Sequence, residues 1–182
     1  MPDPATAWAP PPDPATRRIE VPGLAVCQIL GSSQTLVSGD LAAAATRAGV
    51  SAEGVGALGL AEGETYSVRL ARDRMLIVGT GETPLAAGWD PAGFAVTATD
   101  AGPAVFEIAG PLAEAVVARA TTLPIAGTGP SAAVVFAGIA AVLYRHGTTE
   151  TLRLHVDRGH AAFVWDWLDT LLPLLPPAPG VG

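Results

Sequence analysis

Lysine is absent from this 182-residue chain; all ten of its basic residues are arginine. That absence removes Schiff-base catalysis, the phosphate-gripping lysine of a P-loop and any other step needing a primary ammonium group. Cysteine is reduced to Cys27, which permits no internal disulfide and no cysteine metal cluster. Aromatic residues make up only 5% of a chain that is 49% hydrophobic. Alanine alone supplies 35 of the hydrophobic residues and 21 glycines add to the small residues, which predicts a closely spaced core with few large rings. Positive charge is scarce as well. Ten basic against 17 acidic residues leave a net charge of -7, which repels phosphate backbones and sets nucleic-acid binding aside.

Long hydrophobic runs are also missing. The longest apolar stretch, residues 132–144, has 13 residues and ends at Arg145-His146, whereas a membrane-spanning helix needs about 20. The first 18 residues hold six prolines and two aspartates, not the basic start and apolar run of a secretory signal. These features lead to the expectation of a cytoplasmic protein.

What is present is punctuated by proline at both ends and by glycine in between. Residues 1–18 and 173–182 read as Pro-rich tails around one domain, 19–172, in two halves of about 19–92 and 93–172. Leu24 to Leu30 reads as a strand, and Asp40 caps a helix that Gly49 stops at Ala48. Tyr66–Ala71 and Met75–Val78 form a hairpin, and Gly79 to Gly93 reads as a loop. Strands follow at Phe94–Thr99 and Ala104–Ile108. Gly110-Pro111 then opens a helix from Leu112 to about Thr121, with Pro111 at its first position. Ala133–Phe136 pairs with Ile139–Tyr144, Leu152–Val156 is another strand, and Gly159 to about Leu172 is the final helix. This order of mostly antiparallel neighbours predicts an α+β fold with split antiparallel sheets.

From residue 99 onward the order of motifs carries a resemblance. Thr99-Asp100 precedes the strand Ala104-Val105-Phe106-Glu107-Ile108, followed by Gly110-Pro111-Leu112-Ala113, a helix with Ala118-Arg119-Ala120, and Thr122-Leu123-Pro124-Ile125. Then come the apolar hairpin, Leu152-Arg153-Leu154-His155-Val156-Asp157-Arg158, and Trp165-Asp166-Trp167-Leu168. This arrangement resembles the gamma subunit of heterotetrameric sarcosine oxidase. It departs from that family at Pro124, where an Asp is usual, and at Gly159, where a Ser is usual. The resemblance implies the folate-binding fold of the glycine-cleavage T-protein. It also implies alpha, beta and delta partner subunits, and a complex carrying FAD, FMN, NAD and tetrahydrofolate. None of these cofactors is expected to be bound by this chain alone.

Few constellations suggest chemistry. Gly54-Val55-Gly56-Ala57-Leu58-Gly59 matches the dinucleotide fingerprint by letter, but no strand feeds it and no helix leaves it, so a Gly-rich connection is expected. Gly79-Thr80-Gly81 and Gly127-Thr128-Gly129 read as turns. His155, Asp157 and His160 form one cluster with metal or acid–base potential, for which a strand-end His and a helix-start carboxylate are the simpler account. Ser32-Ser33 and Ser131 lie in no nucleophile elbow, and Cys27 sits mid-strand among apolar neighbours. Asp100 is a turn carboxylate before a strand. No residue is assigned to catalysis, to a cofactor or to a metal.

The last helix points to a partner. At ~100° per residue, Ala161, Val164, Trp165, Leu168, Leu171 and Leu172 make a core stripe, and Phe163 and Trp167 widen it to ~200°. With Leu174 and Leu175 in the following tail, Phe163 and Trp167 are the expected partner interface. The expected function is an accessory, non-catalytic subunit of a flavoprotein oxidase acting on sarcosine or a related N-methyl amine. A folate-binding one-carbon transfer enzyme and a structural homodimer are the alternatives.

Overall fold

The computed structural model describes residue 13 and residues 16–79, 85–99 and 102–178, forming twelve strands and three helices. Local chemistry accounts for the clearest elements. Helix α1 (Leu41–Ala48) starts where Asp40 Oδ1 accepts from the Ala42 and Ala43 amides at 3.1 and 3.0 Å, and ends at Gly49 with φ 70°. Removing that cap with Asp40→Ala is expected to cost about 1 kcal/mol in denaturant titration, without altering the fold. Strands β5 (Tyr66–Ala71) and β6 (Arg74–Gly79) close the expected hairpin, as do β10 (Ala133–Phe136) and β11 (Ile139–His146).

Two sheets result, and the fold is α+β with split antiparallel sheets, as expected. The larger runs β1 (Arg18–Val21), β2 (Leu24–Ile29), β9 (Pro103–Ala109), β12 (Thr148–Asp157), β11, β10. A two-residue strand β4 (Leu60–Ala61) adds to β11 in parallel. The smaller runs β5, β6, β3 (Ser33–Gly39), β8 (Phe94–Ala98), β7 (Gly88–Asp90). Helices α2 (Ala113–Ala120) and α3 (Ala161–Leu171) cover one face of the larger sheet, burying Phe106, Ile108, Leu143, Leu152, Leu154, Val164, Trp165 and Leu168 in one cluster. Phe106 meets Trp165 edge-to-face at 5.2 Å. Helix α1 covers the outer face of the smaller sheet over Val37, Met75, Ile77, Phe94 and Val96. The remaining faces meet through Tyr66, Val68, Leu76 and Val78 on one side and Tyr144 on the other. The order of layers is therefore helix, sheet, sheet, helix.

Several expectations change in detail. Strands β1, β3, β4 and β7 were not read from the sequence, and β7 lies inside the stretch expected to be a loop. Arg18 opens β1 opposite Cys27 and so belongs to the sheet, not to a tail. The preceding Arg17 is tied down as well, bonded to Asp169 at 2.7 Å and stacked 5.1 Å from the Trp165 ring on α3. Sheet membership cuts across residue 92/93, because β8 joins the smaller sheet while β1 and β2 join the larger. Pro111 precedes the Leu112 cap of α2 and does not occupy its first turn. Pro173 lies within a short 3-10 turn, Leu172–Leu174, because a proline near a turn's start gives up no internal bond. The segment after it folds back on the domain: the Arg119 guanidinium donates to the Leu174 carbonyl at 2.7 Å, and Leu175 and Ala178 pack against the main core.

Candidate functional site

The interior between the sheets is the place where polar side chains converge. Gln34 on β3 donates through Nε2 to the Pro103 carbonyl at 3.3 Å, which leaves its Oε1 for His155 Nδ1 at 2.7 Å. The Nδ1–H must therefore donate, and the His155 Nε2 must accept. Its partner is the Tyr144 hydroxyl at 2.7 Å, and Tyr144 Oη in turn accepts from Tyr66 at 2.9 Å. Gln34 and Tyr66 come from the smaller sheet, Tyr144 and His155 from the larger, so the chain of bonds ties the two together. Burial, with the nearby Arg153 charge adding to it, lowers the His155 pKa to about 3; the ring is neutral. Burial also raises both tyrosines, Tyr144 more strongly, so both keep their protons as donors.

A cavity lies on either side of this chain. The larger, about 450 Å³, is walled by Leu36, Leu70 and Leu76 from the smaller sheet and by Val142 and Val156 from the larger, with His155 and Asp157 also lining it. The smaller, about 220 Å³, is lined by Ser32, Glu64, Tyr66, His146 and Arg153 among apolar and glycine neighbours. Arg153 donates from Nη2 to Glu107 Oε2 at 2.8 Å, across the β12–β9 pairing. Its Nε–H and the Ser32 hydroxyl are closed off from solvent with no protein partner.

The structure separates the residues that sequence spacing had grouped. His155 is 2% exposed and spends both ring nitrogens inside the chain of bonds. Asp157 accepts from the Gly159 amide at 2.8 Å and starts the turn leading into α3, and His160 is exposed. No group of three metal-ligating side chains occurs among the described residues. Ser131 donates to the Leu70 carbonyl at 2.6 Å, and half-buried Cys27 lies opposite Glu107. Asp100, Thr80 and Gly81 lie outside the described residues. Gln34, Tyr66, Tyr144, Glu107 and Arg153 were not singled out from the sequence. The available signal was the alternation of Arg153 and His155 with Leu152, Leu154 and Val156, which places both polar residues on one buried face.

The expected interface is also divided. Phe163 and Leu174 are exposed, by 41% and 62%. Trp167 packs edge-to-face on Phe136 at 5.3 Å, and Leu175 joins the core margin, so each is covered in part by this chain itself.

No protein-family model and no curated protein sequence matches the chain. Its fold does have solved counterparts. One is a chain of the heterotetrameric sarcosine oxidase from Corynebacterium sp. U-96, in complex with pyrrole 2-carboxylate. It superposes with a TM-score of 0.65 and 16% identity, covering 83% of this chain and 85% of that one. The likeness shows a shared fold. No helix among the described residues is long and apolar enough to cross a membrane.

Proposed function

We propose that this chain is an accessory, gamma-type subunit of a heteromeric flavoprotein oxidase that demethylates sarcosine or a related N-methyl amine. The observation that carries the reading is the extent of the fold likeness. Nearly equal shares of both chains are matched, so the counterpart is a subunit of about this chain's length, matched over most of it. The order of motifs from Thr99 to Leu168 points the same way. Larger alpha and beta chains, with a small delta chain, would hold FAD, FMN, NAD and tetrahydrofolate. Tetrahydrofolate itself fits this chain poorly. In the larger cavity the Thr99 hydroxyl is engaged with the Gln34 carbonyl and both His155 nitrogens are taken, leaving Asp157 as a lone carboxylate. Tight binding of tetrahydrofolate by the isolated chain in a calorimetric titration would favour the enzyme reading instead.

The test is purification of the tagged chain from its native host. A flavoprotein is expected to accompany it, and recovery of the chain alone would overturn the reading. The surface prediction is specific. Phe163→Ser combined with Leu174→Ser is expected to leave stability within about 0.5 kcal/mol of wild type, as exposed positions do, while the flavoprotein is lost from the purified material. Trp167→Ser is the wrong probe for this question, because removing the indole from Phe136 would destabilise the fold itself.

A further inference from the structure

We infer that the open edge of β10 receives an extended, uncharged segment of another protein chain, which adds to the larger sheet as a further strand. The two sheet orders end in four strands, and three of them are guarded against such pairing. Strand β1 carries exposed Arg18 and Glu20 with Pro22 beyond them, β5 is bent by a bulge between Arg69 and Ala71, and β7 is three residues long with Asp90 in it. Strand β10 has no charge, proline or bulge. Residues 120–144, which include it, hold no charged side chain, and Val135 is 62% exposed.

The phase of the hairpin decides which backbone groups face outward. Ala137 and Gly138 make its two-residue turn, at φ 48° and 86°, and the Leu143 amide donates to the Ala132 carbonyl at 2.9 Å. Bonded pairs alternate along an antiparallel ladder, so they fall at 136/139, 134/141 and 132/143. The amides and carbonyls of Ala133 and Val135 therefore point away from β11. Ser131 Oγ takes the Ala133 amide at 3.2 Å, while the Ala133 carbonyl and both backbone groups of Val135 receive no bond from the described residues. The seam between β10 and β5 is closed only before this point, by the Ala132 amide on the Arg69 carbonyl at 2.7 Å. An antiparallel strand beside Val135 answers all three free groups. Its side chains on the inner face come to lie beside Ala133, at the aliphatic wall of the larger cavity, so uncharged aliphatic residues at alternate positions fit.

A second copy of this chain fits less well. Two β10 strands paired about a two-fold axis centred on Val134 or Val135 form two bonds and leave one carbonyl of each copy unmet. The Ala133 and Ala137 amides that could meet it are already spent on Ser131 Oγ and the Ala120 carbonyl. Each copy also brings a net charge of -7, which repels its like. A different chain has neither constraint. Exposed Phe163 marks the same side of the molecule, one helical turn from Trp167, which rests on Phe136 of β10, so one partner can reach both.

The probe is the blocked peptide acetyl-Thr-Val-Thr-Val-Thr-Val-Thr-amide, titrated into the full chain with amide NMR shifts read at residues 133–136. Saturable binding with a Kd of ~1 mM or tighter is expected. Methylating the peptide's central backbone nitrogens, or replacing its valines with lysine, should each weaken binding at least tenfold. Val135→Lys in this chain should do the same while the melting temperature stays within about 2 °C, because the position is exposed. The absence of saturable shifts at these residues up to ~10 mM peptide, or a Val135→Lys chain that binds unchanged, would overturn the site. Equal binding by the methylated peptide would overturn strand addition, and equal binding by the lysine peptide would overturn the uncharged occupant. Sedimentation of the chain alone as a dimer that Val135→Lys dissociates would give the edge to a second copy and overturn the assignment to another chain. None of these results involves a flavoprotein, so the edge and the subunit reading fail separately.

Discussion

Between pH 7 and pH 5 the fold is expected to lose about 2 kcal/mol of stability through His155 alone, and about 4 kcal/mol by pH 3. The sign follows from where the proton binds. In the unfolded chain the imidazole takes a proton as pH falls through 6.5, while in the folded chain it does so only near 3. Throughout that window the unfolded state holds more protons, so stability falls with falling pH. The contribution is intact above 6.5 and fully lost only below the folded value. Hydrogen bonding is not what resists the charge. A protonated His155 could donate from Nε2, and Tyr144 and Tyr66 could turn their hydroxyls to suit. The resistance comes from placing a cation in a 2%-exposed position near Arg153. Urea titrations of wild type and His155→Gln at pH 7, 6 and 5 check this. The wild type should lose stability faster than the variant by the stated amount, and parallel pH profiles would show that His155 is not the group responsible.

The same residue marks where sequence reading reaches its limit. Hairpins and caps were legible because their causes are local: Asp40 and Gly49 bracket α1, and Arg72-Asp73 turns β5 into β6. The α+β class followed from the order of such elements. The inner face of the larger sheet was not legible. Leu152-Arg153-Leu154-His155-Val156 alternates, and alternation looks the same whether the polar side chains meet water or a second sheet. Strand β3 hid for a related reason. Its Gln34 is a buried polar residue, satisfied by partners more than 60 positions away in sequence, Pro103 and His155. A single-sequence reading has no access to those partners, and the site between the sheets is built from them.

The partner face illustrates a finer limit. Phe163 and Trp167 lie four residues apart and widen the apolar arc together, but the helix sets them ~40° apart. Trp167 stands on the side nearer the core stripe, where Phe136 from β10 reaches it; Phe163 stands beyond that reach and stays exposed. Leu174 and Leu175 divide in the same way, because the 3-10 turn through Pro173 aims successive side chains apart. The wheel located the arc, and only tertiary packing could say how much of it the chain keeps for itself.

Gly56→Ala is expected to cost about 3 kcal/mol or more, lowering the melting temperature by about 10 °C. Gly56 is the middle glycine of the G-x-G-x-x-G letters, and its role is the close passage of two backbones. The segment around it is bonded to residues 129–131, with the Ala57 amide donating to the Ser131 carbonyl at 3.1 Å and the Gly129 amide to the Ala57 carbonyl at 2.9 Å. A Cβ on Gly56 would overlap the Gly129 carbonyl oxygen and lie 2.9 Å from Gly129 C and 3.1 Å from Pro130 C. All three are backbone atoms, so no side-chain rotation relieves the clash. The outer glycines serve packing too. Gly54 has φ +66° and would place a Cβ 2.9 Å from the Arg69 amide, and at Gly59 the Cβ would press on Val55. Gly127 supplies the control. Nothing lies within 4 Å of its would-be Cβ, so Gly127→Ala should be neutral or stabilise by up to about 1 kcal/mol through the unfolded chain. Calorimetric melting of the two variants side by side separates crowding from a general loss of glycine flexibility. If both behaved alike, the close passage would not be what constrains this segment, and its glycines would again need a reason such as a bound phosphate.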